Sequence, residues 1–224
     1  MNDSTSQSTL RWTWLGLAIA LFAVPILAAG FRNLLGPMTA SIAVGRELTI
    51  FAAAGLLLWI VRRREGRALE SVGFTGASAG QIALWTLIAV VACVAALAIG
   101  LVAVNLLDLR FGSAPGTVQT RLPLWVQLIV VLRAGIVEEL FYRGYAINRL
   151  QHVSGSNALA VSVSLLVFAG FHYGQGAGGV LIALLMGIAL TGVYLWKRNV
   201  VAVMLAHFLV DFIPNIVLPL LSGD

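Results

Sequence analysis

The chain has 224 residues, 60% of them hydrophobic and only 10% charged, with a net charge of +5 and a mean hydropathy of +0.96. A soluble domain carries about 25% charged residues, so this composition excludes an ordinary soluble domain. It points instead to an all-α, polytopic transmembrane helix bundle of about seven (6–8) spans in one domain covering residues 1–224. The basic balance does not indicate a nucleic-acid partner, because the arginines cluster in short loops and no aromatic-interleaved basic patch accompanies them.

In chain order, the apolar runs predict spans at about 12–31, 38–61, 80–106, 122–148, 157–172, 178–196 and 199–221, the last open to a break at Pro214 or Pro219. The first reads as a retained helix, since no small-residue cleavage site precedes the next charge. Gly/Ser-rich and charged clusters separate the runs. The one cysteine, Cys93, lies inside the third run as a small core residue, without an intramolecular disulfide or a metal-binding pair.

Alternate loops divide the positive charges unequally. Arg11, Arg62, Arg63, Arg64, Arg67, Arg149, Lys197 and Arg198 fall on one side, and Arg32, Arg110 and Arg121 on the other. The first side is expected to be cytoplasmic, which places the N-terminus inside the cell and the chain in the plasma membrane. The Arg62–Arg67 loop reads first as this topology signal and second as a contact for membrane lipid or an acidic tail.

The fourth run is interrupted by Glu138 and Glu139. A carboxylate near mid-bilayer costs about 2.5–3.5 kcal/mol on insertion scales, which is hard to explain by packing alone. Glu139 and Arg143 stand at i and i+4, in the favourable order for an ion pair. Glu138 points to another face and has no cation at helical spacing on its C-terminal side, so it is expected to be the free carboxylate, suited to act as a general base. His207 and Asp211 also share a helix face at i,i+4, as a metal-binding pair or as a histidine with its tautomer fixed. At about 1.5 Å per residue, Glu138 lies about 16 Å from Arg149 and His207 about 14 Å from Arg198, so both approach the same depth, while His172 comes out nearer the other side. Arg46, Glu47 and Arg133 are further charges within spans; Arg133 is read as a packing partner of Glu47.

Together these residues resemble the intramembrane endopeptidase family of the prenyl-protein (CAAX) proteases and the bacteriocin-processing and self-immunity proteins. The resemblance rests on Glu138, Glu139 and Arg143 followed by Gly144, on Phe168 and His172 four apart, and on His207 with Asp211 where asparagine is usual. It covers a motif-bearing core of about 120–215. It implies hydrolysis of a peptide bond of a membrane-anchored or lipidated peptide, with Glu138, His172, His207 and Asp211 catalytic and Glu139, Arg143 and Phe168 supporting the site. No cofactor is required for water activated by glutamate and histidine, although the same four residues include the donors for Zn2+. The other readings are a proton-coupled transporter and a non-catalytic peptide-binding scaffold or immunity protein.

Overall fold

The computed structural model describes residues 3–112 and 122–222. Among them every regular element is helical. Helix α1 spans Asp3–Leu35, and α2 spans Ala40–Trp59 and continues through a wide π turn, Ile60–Arg64. A 3-10 turn, Leu69–Val72, leads to α3, Ala79–Leu106. Helix α4 covers residues 124–154, starting regular at Leu124–Arg133 and widening at Ala134–Glu138 and Leu140–Ile147. Helices α5 (Asn157–Gly170) and α6 (Gly176–Lys197) are joined by the 3-10 turn Phe171–Gln175. Helix α7, Val200–Phe212, runs on through Ile213–Val217 and Leu218–Ser222.

Small polar residues start these helices. Thr39, Ser156 and Asn199 accept hydrogen bonds from the amides of Ile42, Leu159 and Ala202. Ser78 and Gln81 form a reciprocal capping box ahead of α3. Once started, the helices are held by apolar side chains that pack inward from every long helix, including Leu17, Ile50, Ala89, Phe141, Ala160, Leu190 and Val203. Leu84, Leu87, Val91 and Val102 of α3 stay exposed. On a membrane protein such a surface meets lipid, so its exposure carries no penalty. Cys93 is buried in the core, as expected.

Five stretches are long and apolar enough to cross a membrane: Gln7–Leu35, Ala40–Arg64, Ala79–Leu106, Asn157–Lys197 and Val200–Leu221. The sequence suggested about seven. Helix α4 is interrupted by Arg133, Glu138, Glu139 and Arg143, and so falls outside this set. The stretch Asn157–Lys197 is one apolar run but two helices, because the chain turns at Phe171–Gln175, where Gly176 adopts φ 77, and α6 packs back on α5. Pro214 produces no break: the helix widens over Ile213–Val217 and continues. Arg121, counted above for orientation, lies outside the described residues.

The basic segments meet at one end of the bundle. Arg64 lies over the rings of Trp12 and Trp59 at 4.6 and 4.8 Å. Arg67 reaches His152 at 3.1 Å, and Arg198 donates to Asn148 at 3.0 Å. Arg149, counted among the loop charges, is instead 2% exposed. Its guanidinium binds Glu65 at 2.8 Å and the Ser71 hydroxyl at 2.9 Å. Glu65 also accepts from Thr13 and Tyr145, at 3.0 and 2.7 Å. One buried carboxylate thereby ties α1, the end of α2, the 3-10 turn and the end of α4 together.

Candidate active site

Adjacent glutamates on α4 head two different networks. Glu139 is fully buried, and its Oε1 accepts from Arg143 Nη1 at 2.8 Å, as the i,i+4 spacing requires. The same oxygen lies 2.7 Å from His207 Nδ1 on α7. Arg143 is satisfied on its other sides by the Thr191 hydroxyl and the Gly187 carbonyl of α6, each at 3.2 Å, and it stacks 4.3 Å from the Phe168 ring of α5. One glutamate–arginine pair therefore joins α4 to α5, α6 and α7.

Glu138 is not the free carboxylate that its C-terminal neighbours suggested. It pairs with Arg133, five residues earlier. An i,i+5 pair does not share a face of a regular α-helix; the π turn over Ala134–Glu138 brings the two side chains together. Arg133 in turn donates to Glu47 Oε2 at 2.6 Å, the packing pair expected from the sequence, and Arg46 binds Glu47 Oε1 at 2.6 Å. The charges alternate from Arg46 through Glu47 and Arg133 to Glu138, which neutralises each buried member by its neighbour.

The histidines share Phe168. The His172 ring is 4.9 Å from it and the His207 ring 6.3 Å, with Tyr142 on a further side at 5.2 Å. His172 sits in the 3-10 turn after α5, with Nδ1 2.8 Å from the Phe168 carbonyl. A carbonyl only accepts, so Nδ1 carries the proton and a neutral His172 presents Nε2 as a lone pair. His207 presents Nδ1 to Glu139 and Nε2 to Asp211 Oδ2, at 2.7 and 3.5 Å. Asp211 is the most open of the four, with its side chain 33% exposed.

The structure thus brings Glu139, Arg143, Phe168, His172, His207 and Asp211 into one connected cluster, and Glu138 adjoins it through the backbone. No hydrogen bond links Glu138 to His172 among the described residues. Glu47 and Arg133 extend the cluster, and Thr191 and Gly187 complete it. The last two carry no sequence signal, because a threonine and a glycine in an apolar helix are ordinary. Among the described residues no three of the histidine, cysteine and acidic side chains are grouped to hold a metal ion. In this arrangement Glu138 faces an arginine, His172 Nδ1 a carbonyl and His207 two carboxylates.

The fold and site define a helical membrane protein with a buried acid–histidine centre. Residues 120–213 match the type II CAAX prenyl endopeptidase Rce1-like family. This bears out the resemblance read from the motifs, over nearly the same residues, and supports an intramembrane endopeptidase of the CAAX type. No match was found among the curated proteins or the solved structures.

Proposed function

We propose that the protein hydrolyses a peptide bond of a membrane-anchored or lipidated peptide, with Glu138 and His172 activating the attacking water. The observation that carries this reading is the His172 Nδ1 to Phe168 carbonyl contact of 2.8 Å. It leaves Nε2 of a neutral His172 as an acceptor, and His207 packs against the same Phe168 ring. The Glu138 carboxylate takes the water proton, and His172 Nε2 orients the water for attack on the scissile carbonyl. The proton then passes to the leaving amine, giving a free carboxylate and a free amine.

His207 supplies the positive partner of the developing oxyanion. His207 Nδ1 lies against Glu139 and Nε2 is 3.5 Å from Asp211, and in the imidazolium form the ring is a fixed cation that stabilises negative charge formed in a water-poor site. A carboxylate at position 211 accepts but does not donate to an oxyanion, whereas an asparagine there could donate. The role of Asp211 here is to orient His207. Glu139 and Arg143 hold α4 against α7 so that the ring does not turn.

Metal analysis of the detergent-purified protein, alongside cleavage of a membrane-peptide library, tests this reading. The expected result is cleavage by metal-poor wild type and loss of cleavage in Glu138→Ala and in His172→Ala/His207→Ala, each still folded. Near-stoichiometric zinc that disappears with the histidines would replace it by a metalloprotease. Full cleavage by Glu138→Ala would refute it.

A further inference from the structure

At the basic end, the last turns of α2 and the 3-10 turn Leu69–Val72 flank an open surface cavity of about 450 Å³ lined by Leu58, Trp59, Arg62, Arg63 and Leu69. The two guanidiniums are exposed and, among the described residues, pair with no carboxylate, whereas Arg149 nearby is taken up by Glu65. Glu70, the other acid of this loop, is exposed and does not line the cavity. Two arginines without a carboxylate partner lining one cavity together with two leucines and a tryptophan make an amphipathic site.

Its place in the molecule narrows the ligand. The apolar stretch of α2 ends at Arg64, so the cavity sits where hydrocarbon gives way to headgroups. Trp12 and Trp59 stand there edge to face, 5.9 Å apart, with Arg64 over both rings. Tryptophans at this level are interfacial anchors, and the Trp59 ring is packed by Trp12 and Arg64. A second cavity of similar size, lined by Arg67, Ser71, Asn148, Arg149, Gln151 and His152, lacks apolar walls.

We propose that the cavity between Arg62, Arg63 and Leu69 binds the phosphate headgroup of an anionic phospholipid, whose glycerol and first acyl carbons lie on Leu58, Trp59 and Leu69. Each guanidinium donates two N–H groups to phosphate oxygens, the geometry for which arginine is suited. The site shares no lining residue with the acid–histidine cluster and does not depend on its chemistry.

Native mass spectrometry of the full-length protein, delipidated in detergent and titrated with phosphatidylglycerol or phosphatidylcholine, tests the proposal. Wild type should retain one phosphatidylglycerol preferentially. Arg62→Gln/Arg63→Gln should bind it about 30-fold more weakly, at about fivefold per arginine. Leu69→Ser should weaken lipid binding while leaving titration with inorganic phosphate unchanged, and Arg198→Gln, a basic residue outside the cavity, should behave as wild type. Thermal melting confirms that each variant is folded; should the double variant fail to fold, Leu69→Ser and Arg63→Gln carry the same comparison. Equal affinity for phosphatidylcholine, equal weakening by Arg198→Gln, or displacement of the lipid by millimolar inorganic phosphate would overturn the proposal, the last in favour of a free-phosphate site.

Discussion

Glu139 Oε1 lies 2.7 Å from His207 Nδ1 and 2.8 Å from Arg143 Nη1, so one oxygen positions both a cation on its own helix and an imidazole on another. Removing this carboxylate leaves an arginine and a histidine buried without their partner. Glu139→Ala should destabilise the protein by about 3–5 kcal/mol. Glu138→Ala should cost less, because Arg133 retains Glu47 at 2.6 Å. Thermal unfolding in detergent, compared for the two variants, checks the order.

Gly135 predicts a second effect on the same distance. A Cβ there would meet the Phe208 amide nitrogen at 2.8 Å and the Met204 carbonyl at 2.9 Å, both backbone atoms of α7 that cannot turn aside. Gly135→Ala must therefore push α7 from α4, costing about 1–3 kcal/mol and moving His207 away from Glu139. Gly30→Ala, where nothing lies within 4 Å, is the control. Melting temperature and cleavage rate should both fall for Gly135→Ala alone.

Arg133 bridges Glu47 and Glu138, which makes the three charges energetically dependent. Arg133→Met should be strongly destabilising, whereas Glu47→Gln added to it should cost less than its separate effect. A double-mutant cycle on unfolding measures this coupling. Additive losses would show that the chain of alternating charges does not act as a unit.

Glu65 sets an acid limit to stability. Burial raises its pKa, but hydrogen bonds from Arg149, Tyr145 and Thr13, with the Arg149 charge, outweigh burial and hold the carboxyl below its ordinary value of 4.5. Because the folded value is the lower one, the stabilisation is complete above pH 4.5 and is lost as pH falls through the folded value. Wild type should lose melting temperature on acidification below 4.5, and Glu65→Gln should be less stable at neutral pH with a shallower acid dependence.

The legible parts of the site were those set by local helical spacing. Glu139 with Arg143 follows directly from four residues of separation, and the apolar runs placed the helices close to their observed ends except for α1, which runs Asp3–Leu35, and α4, which runs on to Ser154. The Arg133–Glu138 pair was hidden because it depends on a π turn, and no residue pattern within 134–138 announces one. Contacts between helices were hidden for another reason. His207 meets Glu139 only after α7 has packed on α4, and periodicity within either helix carries no register between them. Arg149 was misread because a charge near a span end looks like a loop charge unless its partner, here Glu65 from a different loop, is known.

In the proposed reaction Glu138, rather than Glu139, takes the proton from the attacking water. It is tested most directly by the single-turnover cleavage rate of a membrane-anchored peptide in proteoliposomes, for wild type, Glu138→Gln and Glu139→Gln. Glu138→Gln should remain folded, melting below wild type by less than Glu139→Gln does, and lose about 10²–10⁴-fold in rate. A folded Glu138→Gln that cleaves at the wild-type rate would contradict it.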